Sequence, residues 1–156
     1  MNKSKKIQFI LLDTYISSIK RSVGTDIFRS TYALVNGKKE DVTKNGSYSC
    51  AVFVSSILLM FGLIKKRHAT VESTVADMRK SGWKEIKRPK VGAILIWRPW
   101  VKSSNWHIGF YVGNNKAISN HWLKKVPASH DFVYGRRNGK PNRPMESIWW
   151  HKSLEK

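Results

Sequence analysis

The chain is 156 residues long, enough for one domain with a core of its own and little more. Apolar residues make up 41% and charged residues 25%, ordinary globular usage that excludes wholesale disorder. Lys and Arg number 29 against 10 Asp and Glu; a net charge of +19 costs stability through self-repulsion and points to a polyanionic partner, whether nucleic acid, an anionic membrane or an anionic polymer such as cell wall.

The start, Lys3-Ser4-Lys5-Lys6 followed by Ile7 to Leu12, imitates a signal peptide, but Asp13 cuts the apolar run and no small-residue cleavage site follows directly. Ile7, Ile10, Leu11, Tyr15 and Ile19 recur at helical spacing instead, which predicts an amphipathic helix over residues 6–22. A polar stretch from Arg21 to Ser49 follows, broken by Gly24, Asn36-Gly37 and Asn45-Gly46, with Phe28 to Val35 readable as a short strand or helix. Ser47 or Ser49 is placed to cap a buried helix running from Cys50 to Ile64. Its apolar run, residues 51–64, is too short to span a bilayer, and no transmembrane segment is expected. Thr70 caps a third helix, Val71 to Ser81, which Gly82 ends. From Trp83 onward the pattern turns to strands: Trp83 to Ile86, Gly92 to Trp97, His107 to Val112, Ala117 to Trp122, Phe132 to Tyr134 and Ser147 to Trp150. Gly113-Asn114-Asn115-Lys116 turns the third of these into the fourth as a hairpin. Helices first and an antiparallel sheet second make the expected fold α+β, in one domain over residues 1–156.

Cys50 is the only cysteine, so neither an intrachain disulfide nor a Cys-based metal site is expected, and no cofactor is implied. At the first turn of a helix its sulfur faces unpaired N–H groups and the positive end of the helix dipole, which favour thiolate and lower the pKa. The same N–H groups can stabilise an oxyanion on a carbonyl that the sulfur attacks. The bland alternative is a buried Cys packed among Val52, Phe53 and Val54. His107 opens an apolar strand beside the small Gly109, where its imidazole can meet a helix N-terminus at the sheet edge and serve as base to the thiol.

Three blocks, Gly46-Ser-Tyr-Ser-Cys50-Ala-Val-Phe-Val54, Val91-Gly-Ala-Ile-Leu-Ile-Trp97 and His107-Ile-Gly-Phe-Tyr-Val-Gly113-Asn-Asn-Lys-Ala-Ile118, carry a resemblance to a known family. In this order the chain resembles the NlpC-type cell-wall cysteine peptidases, papain-like enzymes with the CHAP amidases as cousins. The likeness covers roughly residues 46–120, and its third block is the most specific. It implies that Cys50 matches the family nucleophile and His107 its base. The chain departs from the pattern at Ser49, where the family has an acidic residue, at Ala51-Val52, where it has Ser-Gly, and at Ala93, where its Gly-Asp is Gly-Ala.

The third polar residue, which orients the imidazole, is a His, Asn or Gln on the paired strand in that family. Ungapped counting places Ser119 there. A two-residue Asn114-Asn115 turn instead pairs Gly109 with Asn120 and puts Asn120 on the His107 face and Ser119 on the Phe110 face. On that register the expected triad is Cys50, His107 and Asn120; a bulge in the hairpin would reverse it, with His121 and His130 as further candidates.

Trp97, Trp100, Trp106, Trp122, Trp149 and Trp150 crowd the C-terminal half, where core is the default for at least half of them and the rest could line a groove. Arg136-Arg137-Asn138-Gly139-Lys140 reads as a basic turn. The expected function is a cysteine hydrolase, an endopeptidase or amidase acting on amide bonds of peptidoglycan stem peptides, as the resemblance implies. The expected partner is peptidoglycan or another anionic cell-wall polymer, and the expected state a monomer. The rival classes are a basic nucleic-acid-binding module with a structural Cys50, for which no zinc-finger, phosphate-loop or RNA-binding aromatic motif appears, and a papain-like lipid acyltransferase. Such a substrate implies action outside the cytoplasm, for which the sequence displays no export signal.

Overall fold

The computed structural model describes residues 4–100 and 103–155. These build an α+β architecture, with three α-helices followed by a six-stranded antiparallel sheet. Helix α1 spans Leu11–Arg21 and not residues 6–22. Tyr15 and Ile19 are buried and anchor it, whereas Ile7 and Phe9 stand in solvent on irregular chain, 79% and 87% exposed. A helical turn is marginal in water unless tertiary packing covers its apolar face, so the periodicity ahead of Leu11 is not expressed as helix.

Residues Tyr32–Val35 (β1) and Lys38–Asp41 (β2) form a separate hairpin about Asn36-Gly37, both at positive φ. Helix α2 spans Cys50–Met60, shorter than expected. Gly62 stops it at φ +66: its N–H donates to Leu59 O and the Leu63 N–H to Leu58 O (2.9 Å), the paired bonds of a Schellman ending. Leu63 and Ile64 stay in the core although they leave the helix. Helix α3, Val71–Lys80, begins as expected with the Thr70 hydroxyl accepting the Ser73 N–H, and Gly82 follows its end at φ +98. Ahead of it, the buried Asp77 carboxylate holds the α2–α3 loop by accepting the N–H groups of Lys65 and Lys66, the His68 Nε2 bond (2.8 Å) and the Ser81 hydroxyl.

The large sheet contains Trp83–Glu85 (β3), Ile94–Trp97 (β4), His107–Gly113 (β5), Lys116–His121 (β6), Val126–Asp131 (β7) and Met145–His151 (β10), in the order β3-β10-β4-β5-β6-β7. Between its last two members Arg136–Arg137 (β8) and Lys140–Pro141 (β9) form a small hairpin, so the expected basic turn is there, about Asn138-Gly139. The strand expected at Phe132 to Tyr134 is instead a turn: Asp131 Oδ1 accepts the N–H groups of Val133 and Gly135, and Tyr134 lies at φ +60. The strand falls at Val126–Asp131, where Pro127 is tolerated because β7 is the sheet edge.

Both faces of the sheet centre are covered. Ile94, Ile96, Ile108, Phe110 and Ile118 join α1 and α2 in the main core, with Phe53 against Phe110 at 5.3 Å between ring centroids. Leu95, Trp97 and Ala117 face the other way, packed by Tyr111, Phe132, Tyr134, Met145 and Ile148. No helix among the described residues is long and apolar enough to cross a membrane.

Candidate active site

Cys50 opens α2 after a turn held by an acidic side chain that the sequence reading did not single out. Asp41 Oδ1 accepts the Thr43 hydroxyl and the N–H groups of Thr31 and Thr43, and its Oδ2 accepts the Asn45 N–H. The Thr43 hydroxyl first, with the N–H groups behind it, holds the Asp41 carboxyl well below the usual carboxylate range. Gly46, at φ +92, then passes so close to Lys125 that a Cβ there would meet Lys125 O at 2.8 Å. Ser49 occupies the N-cap position of α2, but its hydroxyl makes no capping bond and is buried without a partner.

His107 and its surroundings are set by one irregularity. Gly113 pairs with Lys116, but the next pair is Tyr111 with Ala117, so Val112 is an extra residue on β5. Beyond that bulge Gly109 pairs with Ser119, not Asn120. The expected third residue is thereby corrected. Ser119 shares the His107 face, and its hydroxyl lies 2.8 Å from His107 Nε2. Asn120 points to the α2 side, where its amide donates to Gly46 O (2.8 Å) and steadies the turn that carries Cys50; its carbonyl oxygen is buried and unpartnered. Gly109 is what lets Ser119 sit so close, since a Cβ at that position would lie 2.7 Å from the Ser119 Cβ and 2.8 Å from Ile118 O.

The network continues past Ser119 and has a definite proton order. His130 Nδ1 lies 2.7 Å from Asp131 O, a carbonyl that can only accept, so this nitrogen carries the hydrogen. In the neutral ring His130 Nε2 is then a bare acceptor, and the Ser119 hydroxyl, 2.7 Å away, donates to it. With its own proton so used, Ser119 Oγ accepts from His107 Nε2–H, and it lies 3.3 Å from the Tyr134 hydroxyl as well. His107 is left as the tautomer whose Nδ1 bears the free lone pair, the form a general base requires. The rings are held by packing: Tyr134 stacks on His130 (4.1 Å between centroids), and the buried Trp97 lies beneath His107 (5.3 Å).

Cys50, His107, Ser119, His130, Tyr134 and Arg143 line one cleft of about 1140 Å³, with Trp100, Trp106 and Trp122 at its walls. Those three tryptophans are exposed, while Trp97, Trp149 and Trp150 are buried, so the aromatic cluster divides evenly between cleft and core. His121 also lines the cleft but spends Nδ1 on the N–H groups of Leu123 and Lys124. Among the described residues no hydrogen bond joins Cys50 Sγ to the imidazole, and no group of three His, Cys, Asp or Glu side chains is arranged to hold a metal ion.

The expected low thiol pKa is corrected too. Burial pushes the Cys50 thiol up, more strongly than the N–H groups of Ile108, Ala51 and Cys50 and the Arg143 charge pull it down. Burial, with the Arg143, His130 and His121 charges behind it, pushes His107 well below the usual imidazole range. Both shifts favour the neutral thiol and the neutral imidazole over a stored ion pair. The sequence reading missed Tyr134 and Arg143; both lie beyond the hairpin, in loops whose only signal is aromatic or basic character. A scan against protein-family models finds no match for this chain, and a search of curated proteins finds none either.

Proposed function

We propose that the protein is a papain-like cysteine hydrolase of amide bonds, with peptidoglycan stem peptides as substrate, Cys50 as nucleophile, His107 as base and Ser119 as the residue that orients the imidazole. The observation that carries this reading is the hydrogen-bond chain from His107 Nε2 through Ser119 and His130 to Asp131 O, whose proton order leaves Nδ1 as the basic nitrogen of a ring that lines one cleft with Cys50. In the reaction Cys50 Sγ attacks the amide carbonyl carbon while its proton passes to His107 Nδ1. Burial favours the neutral form of both groups, so proton transfer accompanies attack and no stored ion pair is required. The oxyanion forms beside the N–H groups at the start of α2. Collapse of the tetrahedral intermediate expels the amine, which takes the proton from His107, and leaves a thioester on Cys50. Water, deprotonated by the same nitrogen, then cleaves the thioester and releases the acid.

The resemblance of residues 46–120 to cell-wall peptidases and the cationic character of the chain support a wall substrate. The test is digestion of purified peptidoglycan by the wild type and by Cys50→Ser, with the products identified by mass spectrometry. New amine and carboxyl ends released only by the wild type are expected. No difference between the two proteins overturns the proposal, and thiol-dependent acyl transfer to lipid, or nucleic-acid binding indifferent to Cys50→Ser, would replace it with a rival class.

A further inference from the structure

Among the described residues, the cleft contains a buried charge without a counter-ion. Arg143 is only 6% exposed. Its Nε–H donates to Arg98 O (2.9 Å) and Nη2 to Asn105 O (3.2 Å), while the guanidinium lies over the rings of Trp100 (5.0 Å) and Tyr134 (5.7 Å). The ion pairs among the described residues are His68–Asp77, Lys90–Glu155 and Arg98–Glu146, and none includes it. Carbonyl dipoles and aromatic faces orient a guanidinium but do not neutralise it, and a buried charge is costly unless something does. The two carbonyl bonds use Nε–H and one Nη2–H, and the Tyr134 hydroxyl, a neutral partner, takes a further N–H; the remaining donors of Nη1 and Nη2 are left for a carboxylate.

We infer that Arg143 is the receptor for a carboxylate on the substrate, so that the cleft takes amides bearing a free carboxylate close to the bond presented to Cys50. The inference rests on the proposed hydrolase reading and narrows its substrate class. Among the described residues, Lys44 and Arg143 are the cations at the cleft wall against Glu72 as its acid, which leaves the pocket positive. The Arg143 charge reaches the reacting groups, lowering the thiol pKa of Cys50 and that of His107. A passing oxyanion would leave the guanidinium uncompensated before and after the reaction, whereas a substrate carboxylate compensates it throughout binding. Arg is suited to this over Lys because its planar fork engages both carboxylate oxygens.

The experiment compares Cys50 alkylation by iodoacetate and by iodoacetamide at one common pH of about 9, with 2-mercaptoethanol as the reference thiol. The two reagents differ in the carboxylate, so the ratio of their rates reads anion binding beside the sulfur and does not depend on hydrolysis. The ratio in the protein is expected to exceed the reference ratio about tenfold, to fall to the reference in Arg143→Gln and to be intermediate in Arg143→Lys. Lys44→Gln, which removes a charge from the same cleft but no fork, should leave it within about twofold. In the wild type, most of the excess should survive about 0.5 M salt, because a sheltered pair is screened far less than a diffuse surface field. The salt series needs no variant and stands even if Arg143→Gln does not fold. A wild-type ratio equal to the reference, an excess abolished by salt, or equal losses in Arg143→Gln and Lys44→Gln overturns the carboxylate site. An intact excess with no wall digestion would sink the hydrolase reading instead, so the two failures are told apart.

Discussion

Removing the Ser119 hydroxyl tests the ordering of the imidazole most directly. Ser119→Ala deletes the group that lies 2.8 Å from His107 Nε2 and 2.7 Å from His130 Nε2, and puts nothing in its place. While His107 is neutral, its bond to Ser119 is an ordinary one, worth about 0.5–1.5 kcal/mol net. Once Nδ1 takes the Cys50 proton the same bond is donated by an imidazolium, and such bonds are worth roughly 1.5–3 kcal/mol. The loss is therefore larger in the transition state than in the resting protein. The difference, about 1–1.5 kcal/mol, should appear as a fall in kcat of roughly 5- to 13-fold with KM little changed. Both rings line the cleft, and the cost to folding should stay near about 1–2 kcal/mol. The assay is initial-rate hydrolysis of a soluble wall peptide, alongside nitrogen NMR of labelled histidine. The wild type should show His107 protonated at Nε2, and Ser119→Ala a mixture of tautomers. A variant within about twofold of wild type in kcat, or a loss confined to KM, would refute the reasoning, because Ser119 would then be neither strengthening its bond in the transition state nor selecting the tautomer.

Labelling of Cys50 by iodoacetamide should climb with pH through and beyond the ordinary thiol range, since burial raises its pKa; a plateau reached below about pH 7 would reveal a stored thiolate–imidazolium pair. Asn120→Ala should leave the His107 tautomer as in wild type but leave Gly46 O unpaired and loosen the turn before Cys50, costing about 1–3 kcal/mol by urea unfolding. Gly109→Ala forces its methyl group against Ile118 O and Ser119, so about 1–3 kcal/mol of stability should be lost together with the single His107 tautomer; a well-folded, fully active variant would contradict the register. Burial raises the Asp77 carboxyl, but the His68, Lys65, Lys66 and Ser81 hydrogen bonds outweigh it and bring the pKa from 3.8 to about 2. A depressed carboxylate stabilises the fold above its unfolded pKa, so roughly 2 kcal/mol should be lost as pH falls from about 4 through 2, and Asp77→Ala should flatten that part of the profile.

What the sequence determined by itself is local. The Cys50 helix start, the Thr70 cap, the Asn114-Asn115 turn and the apolar strands His107–Gly113 and Ile94–Trp97 follow from spacing and turn chemistry within a few residues of chain. The expected helix to Ile64 overran the stop at Gly62, although a glycine inside an apolar helical run is a ready C-cap. The choice between Ser119 and Asn120 was not legible locally. It turned on one bulged residue, Val112, and a shift of one position exchanges the two faces of a strand. Nor could spacing bring His130, Tyr134 and Arg143 to His107, because they come from an edge strand and loops that only the folded sheet sets around one cleft. The sign of the Cys50 and His107 shifts was likewise a tertiary matter. A helix N-terminus pulls a thiol down wherever it occurs, but the desolvation that outweighs it here exists only after the sheet, the helix and the cleft walls have closed around the sulfur.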